Sequence, residues 1–168
     1  MIFMDLPKRK PQRLKNYDYS CNGAYFITIC TQDRLPLFGG IADGDAVLNR
    51  AGRMVEERLL NIARAGISVE KHCVMPDHMH AIILLSEDGT TQGSFPTTVS
   101  ALVQSFKSVT TKLYIDGVKS GYYPPFVKKI WQKSFHDRIL RDERAYRELW
   151  QYIDENPRKW QDDHFYGS

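Results

Sequence analysis

The chain has 168 residues, of which 42% are hydrophobic and 26% are charged. These values are ordinary for a soluble globular protein, and the length suits a single domain over residues 1–168 with its own core. No apolar run approaches the roughly 20 residues that a membrane-spanning helix needs, and no signal-peptide pattern opens the chain. A cytoplasmic protein is therefore the expectation.

The net charge of +3 is modest, but the charge is unevenly distributed. Residues 8–15 hold five basic side chains, within an N-terminal arm that covers residues 1–16. Such a run suits contact with phosphate groups, and a solvated, flexible arm is an equally good interpretation. The basic residues of the arm are Lys8, Arg9, Lys10, Arg13 and Lys15.

Three cysteines lie far apart at Cys21, Cys30 and Cys73, with no CxxC pair among them. An odd count without a secretion signal indicates reduced thiols rather than a disulfide framework. Zinc binding by Cys73 together with nearby histidines is an open but less favoured alternative, because no second cysteine lies at zinc-finger spacing.

The first predicted elements are a strand and an amphipathic helix. Residues 23–31 are dense in β-branched and aromatic side chains, which is typical of a strand. Prolines and glycines between residues 36 and 44 then indicate a long loop. Residues 47–65 show apolar positions at helical spacing, and Gly66 is a fitting stop. The predicted apolar positions of this helix are Val47, Met54, Val55, Leu59 and Ile62.

A hairpin and a second helix are predicted next. Residues 69–74 and 78–85 form two predicted strands, and the short Pro76-Asp77 connection favours antiparallel pairing. The glycine-, serine- and threonine-rich stretch 86–96 is predicted as a loop. Thr97 or Thr98 can cap a helix that runs to about Tyr114. Its predicted buried stripe consists of Leu102, Val103, Phe106, Val109 and Leu113.

The last predicted elements are a strand over residues 131–140 and a helix that Asp142 caps and that continues through at least Ile153. The resulting order, β-α-β-β-α-β-α, predicts the α+β class with a ferredoxin-like split βαβ plan. We expect an antiparallel sheet of four to five strands, with helices mainly on one face and a C-terminal helix that carries a tyrosine.

Two histidines, His78 and His80, open the most apolar predicted strand. Because residues i and i+2 of a strand point to the same face, the two imidazoles would lie side by side, as metal ligands do. Two surface histidines without a ligand role are the plain alternative for an isolated pair of this kind. The buried character of residues 79–85 favours a metal site, because a buried imidazole must find a partner.

Helical phase separates two tyrosines on the last predicted helix. Tyr146 lies in the middle of an apolar stripe with Leu149, Trp150 and Ile153, so its predicted role is packing. Tyr152 lies off that stripe and beside Asn156, one turn later, which makes a reasonable pair of nucleophile and ligand. Because Pro157 disfavours helical geometry in the preceding residue, Asn156 is expected at the end of the helix or just beyond it.

Three segments together resemble a family. Residues 75–80 (Met-Pro-Asp-His-Met-His), 131–137 (Trp-Gln-Lys-Ser-Phe-His-Asp) and 152–157 (Tyr-Ile-Asp-Glu-Asn-Pro) resemble the bacterial REP-associated tyrosine transposases. These belong with the single-tyrosine, IS200-like transposases in the HUH endonuclease superfamily. The likeness runs from about residue 17 to residue 160, and the three motifs in this order are far more specific than any one alone.

The resemblance implies a ferredoxin-like enzyme of the bacterial nucleoid that nicks and rejoins single-stranded DNA near hairpins, without ATP, through a 5′-phosphotyrosine link. It implies a divalent metal, Mg²⁺ or Mn²⁺, bound by His78, His80 and Asn156, with Tyr152 as the nucleophile. The implied partner is single-stranded or hairpin DNA in REP-like palindromes. We expect the basic arm to contact this DNA together with Lys128, Lys129, Lys133, Arg138 and Arg141.

Alternatives remain open at this point. A domesticated transposase could bind hairpins on the same sheet without cutting them, and a metal hydrolase of another fold could use an HxH pair. Relatives act as monomers or as dimers that exchange the tyrosine helix, so the tyrosine could meet the histidines within one chain or across two. Arg138 stands where relatives often carry histidine, and we assign no catalytic role to residues 135–138.

Overall fold

The computed structural model describes residues 23–86 and 98–160. The predicted basic arm, Cys21 and nearly all of the predicted 86–96 loop lie outside the described residues. The described strands are β1 (Gly23–Cys30), β2 (Gly39–Ala42), β3 (Asp45–Leu48), β4 (Ile67–Met75), β5 (His78–Leu85) and β6 (His136–Leu140). The helices are α1 (Arg50–Leu60), α2 (Val99–Lys119) and α3 (Glu143–Lys159), with a short 3₁₀ turn at Gln32–Arg34.

Four strands form the main sheet, in the order β4-β5-β1-β6, and every neighbouring pair is antiparallel. With α1 between β1 and β4 and α2 between β5 and β6, this order is the split βαβ arrangement of ferredoxin-like domains. The predicted α+β class and ferredoxin-like plan are therefore confirmed. β1 lies at the centre, so its side chains reach both flanking strands.

The two faces of the sheet carry different helices. Alternate residues of β1 and β5, among them Ile27 and Ile83, belong to the larger core that also contains the apolar residues of α1 and α2. The other residues of these strands, among them Phe26 and Ile82, pack with Leu149 and Ile153 of α3 in a smaller cluster. The C-terminal helix therefore covers the face opposite to α1 and α2.

A small hairpin replaces part of the predicted loop and the start of the predicted helix. β2 pairs with β3 around Asp43 and Gly44, which have φ values of 53° and 79°. Two successive positive φ values are the signature of a type I′ turn, which Asp-Gly favours. Val47, predicted on the helix, is 55% exposed in β3. α1 begins at Arg50, three residues later than predicted, and the Asn49 side chain caps it.

The later boundaries also differ from the predictions. Thr98 caps α2, as one of the two predicted options, and α2 extends to Lys119 rather than ending near Tyr114. Val109, predicted on the buried stripe of α2, is 43% exposed. β6 begins at His136 rather than at residue 131, where Trp131 makes only an isolated bridge with Thr31.

Asp142 caps α3 as predicted, but Pro157 lies inside this helix. The proposed ending at Asn156 is therefore wrong. Pro157 has no backbone N–H, so α3 lacks the hydrogen bond that this group would make. Only two residues of α3 follow Pro157, so the rest of the helix is little affected. Burial of Ile153 and Asn156, each 1% exposed, holds the turn in place despite this loss.

No helix in the described ranges is long and apolar enough to cross a lipid bilayer. The described helices are instead amphipathic or half-buried against the sheet.

The packing of α3 leads to a first prediction. Leu149 is fully buried between α3 and the sheet, so Leu149→Ala should lower the free energy of unfolding in urea by about 3 kcal/mol, from lost burial and the cavity left behind. Leu60→Ala is the matched control, because Leu60 is 45% exposed at the end of α1 and should change stability by less than about 1 kcal/mol. Equal losses for the two variants would contradict the docking of α3 on this face.

Candidate active site

His78 and His80 lie at the beginning of β5, on the face that α3 covers, and both are fully buried. Their ring centroids are 4.6 Å apart, and their Nε2 atoms approach to 3.1 Å. The period of two in the strand therefore places two imidazole nitrogens at one point, as the sequence predicted.

The orientation of His78 is set by the residue before it. Nδ1 of His78 lies 2.7 Å from Oδ1 of Asp77 and 3.3 Å from Nη2 of Arg34. Because a carboxylate only accepts and its contact is the shorter of the two, we assign the proton to Nδ1, which leaves the lone pair of Nε2 facing the site. Burial lowers the pKa of His78. Burial alone would raise the pKa of Asp77, but the hydrogen bond from His78 and the positive charge of Arg34 lower it, so this carboxyl is ionised at neutral pH.

The orientation of His80 is set by β1, the neighbouring strand. Thr28 lies opposite His80 in the β1–β5 register, and its hydroxyl is 2.8 Å from Nδ1 of His80. The Phe26 ring stacks on His80 with centroids 5.2 Å apart. Burial lowers the pKa of His80 well below its usual value, and the neighbouring His78 adds to this shift, so His80 is neutral.

Asn156 brings an amide from α3 to the two histidines. Its side chain is buried, and Oδ1 lies 3.2 Å from Nε2 of His78. Both atoms present lone pairs, so in this orientation of the amide their approach favours a cation between them. Nδ2 of Asn156 is buried and has no hydrogen-bond partner within residues 23–86 and 98–160.

Tyr152 lies one turn before Asn156 and contacts the same cluster. Its ring centroid is 5.3 Å from that of His80 and 6.1 Å from that of Phe26. The hydroxyl is buried and makes no hydrogen bond to any other described residue. The tyrosine, the two histidines and the asparagine therefore meet within one chain, the first of the two open arrangements.

The donor set fits a divalent cation. In a coordination shell with metal–ligand bonds of about 2.1 Å at right angles, neighbouring ligand atoms are about 3.0 Å apart. The separations of 3.1 Å and 3.2 Å that Nε2 of His78 makes with Nε2 of His80 and with Oδ1 of Asn156 are close to this value. The amide oxygen of Asn156 would be the third ligand beside the two imidazoles. No three His, Cys, Asp or Glu side chains form a metal-binding cluster in the described part of the chain.

The alternative of a zinc ligand at Cys73 is not supported. Its Sγ lies 3.5 Å from Sδ of Met75, and the side chain packs against the smaller core beneath α3. Within the described ranges Cys73 joins no cluster of three His, Cys, Asp or Glu side chains that could hold a metal, and burial raises the pKa of its thiol to about 12.

Three residues around His78 were not predicted to contribute to the site. Asp77 was interpreted only as a turn residue, and Arg34 and Trp160 received no role. In the structure, both donate hydrogen bonds to the Asp77 carboxylate. The only available signal was the acidic residue directly before the histidine pair, since Arg34 and Trp160 are 43 and 83 positions from Asp77.

The predicted DNA-binding residues fall into two groups. The arm residues Lys8, Arg9, Lys10, Arg13 and Lys15 lie outside the described residues. The other five, namely Lys128, Lys129, Lys133, Arg138 and Arg141, are exposed. Arg138 lies opposite Phe26 in the β1–β6 register, on the face of the sheet that carries the histidines.

The two tyrosines of α3 differ in their surroundings. Tyr146 is half-buried against the smaller core, and its ring centroid lies 5.8 Å from that of Trp150, in agreement with a packing role. Trp150 is 36% exposed rather than buried on the predicted stripe, and the Nζ atom of Lys71 lies over its ring at 5.0 Å.

Comparison with known proteins gives one sequence relative and a structural neighbour. An uncharacterized protein of Haemophilus influenzae is 32% identical over 167 residues, which cover 94% of this chain and 93% of the relative. A REP-associated tyrosine transposase, solved bound to a REP hairpin, superposes with a TM-score of 0.57 at 21% identity, over 89% of this chain and 74% of that one. No family model matches the sequence. The chain therefore belongs to the same family as the Haemophilus influenzae protein, and its fold is that of the IS200-like, REP-associated tyrosine transposases.

Proposed function

We propose that the protein is a metal-dependent single-stranded DNA endonuclease and strand transferase of the REP-associated tyrosine transposase type. The observation that carries this proposal is the convergence of the Tyr152 ring, two imidazole nitrogens and the Asn156 amide oxygen on one face of the sheet. Tyr152 is the proposed nucleophile, and His78, His80 and Asn156 are the proposed metal ligands.

The proposed cofactor is Mg²⁺ or Mn²⁺. Two neutral imidazoles and an amide leave the cation its full charge, and when bound it would polarise the scissile phosphate and neutralise charge there. The ring nitrogens are prepared for this role by the protein, since Asp77 and Thr28 each engage the Nδ1 atom and leave the Nε2 atom facing the site.

Tyr152 would attack the phosphorus through its phenolic oxygen. The new oxygen–phosphorus bond forms as the bond from phosphorus to the 3′ oxygen breaks, and the phenolic proton passes through solvent to the departing oxygen. The products are a 5′-phosphotyrosine and a free 3′-hydroxyl, and attack by another 3′-hydroxyl would reverse the step and join DNA without ATP. The Tyr152 hydroxyl suits this role because it makes no hydrogen bond to another described residue that would compete.

DNA is the proposed partner, as single strands or hairpins of the REP-like palindrome type. The structural neighbour was solved with a REP hairpin, and this chain shares its fold. We place the enzyme in the bacterial cytoplasm at the nucleoid, and we propose that one chain suffices for a complete site, because Tyr152 and the histidines meet in cis.

Basic residues near the site suit phosphate contacts. Backbone hydrogen bonds join Gln32 to Ile130 and Gln132 to Cys30. Cys30 lies opposite His78 in the sheet. Lys128, Lys129 and Lys133 flank this segment and are exposed, so they lie toward the same end of the sheet as the proposed metal ligands. Arg138 extends the basic surface along β6, beside the position of Phe26.

The nucleophile leads to a prediction. Tyr152→Phe should abolish the covalent protein–DNA adduct formed with a hairpin oligonucleotide that carries a single-stranded foot, because the variant loses only the attacking oxygen. Binding of the oligonucleotide should remain within about twofold, because the ring and its packing stay. The adduct is measured on a denaturing gel with Mn²⁺ present.

Tyr146→Phe is the matched control, a tyrosine on the same helix that should keep full adduct formation. The wild-type adduct should also disappear when EDTA removes the metal. Wild-type protein that binds the hairpin but forms no adduct would support a DNA-binding protein without catalysis. An adduct that persists in Tyr152→Phe would remove this residue from the role.

The basic segment leads to a second prediction. If Lys128 and Lys129 contact phosphates, replacing both with alanine should reduce the slope of log affinity against log salt concentration by about 1.5 in magnitude. Each lost phosphate contact removes roughly 0.7 to 0.9 from this slope. Binding is measured by fluorescence anisotropy between about 50 and 200 mM salt. The pair Lys112→Ala and Lys119→Ala removes the same charge from exposed positions on α2 and should leave the slope unchanged.

A further inference from the structure

Asp77 is a junction of three separate elements. It lies in the turn between β4 and β5 and is only 8% exposed. Oδ1 accepts from Nδ1 of His78 at 2.7 Å and from Nε1 of Trp160 at 3.2 Å. Oδ2 accepts from Nε of Arg34 at 3.2 Å and forms an ion pair with Nη2 of the same residue, also at 3.2 Å. One carboxylate therefore receives donors from the segment after β1, from β5 and from the C-cap of α3.

The Arg34 contact is held at a conformational cost. Asp33 and Arg34 have φ values of 56° and 55°, in the left-handed region that residues with a Cβ rarely adopt. Such a conformation is strained and persists only where the surroundings stabilise it. Here the strained turn brings the guanidinium to Asp77, where its side chain is 12% exposed and paired with the carboxylate.

The Trp160 contact links the nucleophile helix to the first histidine. Trp160 is four residues after Asn156 and eight after Tyr152, so all three lie near the same end of α3. Because Trp160 and His78 donate to the same oxygen of Asp77, a shift of this end of α3 disturbs the acceptor that orients His78. The ligand on β5 and the helix with the nucleophile are thereby coupled through one atom.

We propose that Asp77 is the positioning residue of the site: its carboxylate fixes the ring orientation and Nδ1–H tautomer of His78, and it holds the tyrosine helix in register through Trp160. The role of His78 as a metal ligand rests on the proposed function, whereas the tautomer and the helix contact do not. A carboxylate is required because three donors surround it. An asparagine at this position must turn its NH₂ group either toward Arg34 or toward His78 and Trp160, so some of these hydrogen bonds are lost.

The test compares Asp77→Asn with Asp137→Asn, which neutralises another buried carboxylate of the same sheet, on β6. The tautomer of His78 is read from two-bond ¹H–¹⁵N spectra of ¹⁵N-histidine-labelled protein without metal, with the resonance assigned from a His78→Gln variant. Mn²⁺ affinity is measured by electron paramagnetic resonance without DNA, and thermal unfolding establishes that each variant is folded.

We expect Nδ1–H at His78 in wild type and in Asp137→Asn, and loss of this signature in Asp77→Asn. Mn²⁺ affinity should fall about 10- to 100-fold in Asp77→Asn, as when a supporting partner of a metal ligand is removed. Trp160→Phe keeps the aromatic ring but not the donor. It should leave the tautomer intact and increase hydrogen exchange in the last turn of α3.

The outcomes separate this proposal from the proposed function. Nε2–H at His78 in wild type, or an unchanged tautomer in Asp77→Asn, would overturn the positioning role whether or not the protein cuts DNA. If His78 carries Nδ1–H in wild type and loses this signature in Asp77→Asn, but the wild-type protein binds no Mn²⁺, the positioning role is supported and the metal-dependent function is contradicted. Unchanged exchange in Trp160→Phe would overturn the link to α3.

Discussion

The antiparallel register between β1 and β5 is the constraint on which the site depends. It pairs Thr28 with His80 and Cys30 with His78, and it brings the Thr28 hydroxyl to the second imidazole. Because side chains alternate along a strand, a slip of β5 by one residue would turn both histidines into the core beneath α1 and α2. The apolar residues between them and after them prevent such a slip, since Met79, Ala81 and Ile83 are each 0% exposed in that core.

The period of the α-helix then brings the remaining side chains of the site from α3 to the sheet. Leu149 and Ile153 are four residues apart and dock α3 on the sheet, while Tyr152 and Asn156, also four apart, lie beside them on the same helix. Docking through the apolar pair therefore carries the polar pair to the histidines. Lys71 adds an ion pair with Asp154 at the solvent side of this contact. Since an exposed pair of this kind contributes little, the position of Tyr152 rests mainly on apolar burial.

The sequence predicts those parts of this arrangement that follow from local periodicity. The histidine face of β5, the separate roles of Tyr146 and Tyr152, and the order of strands and helices all come from periods of 2 and 3.6. The β2–β3 hairpin was missed because the glycines around Asp43 were interpreted as a loop, although Asp-Gly is a strong hairpin signal. Pro157 was taken as a helix end, but tertiary burial of Ile153 and Asn156 overrides that local preference. The contacts of Asp77 with Arg34 and Trp160 could not be predicted, because they depend on elements that meet only in the folded chain.

Some polar groups of the site are buried without a hydrogen bond, which lowers the stability of the fold but leaves these groups available for chemistry. A buried polar group without a hydrogen bond costs about 1–3 kcal/mol, and within the described ranges both the Tyr152 hydroxyl and Nδ2 of Asn156 are in this condition. Groups that only support the site, such as the Asp77 carboxylate and the Thr28 hydroxyl, instead have hydrogen-bond partners. The proposed nucleophile and one proposed ligand are therefore among the unsatisfied groups, which also include Nε of Arg58 on α1. At the site, such a cost is expected where a fold keeps polar atoms available for a phosphate and a cation, and where the apolar contacts of α3 offset it.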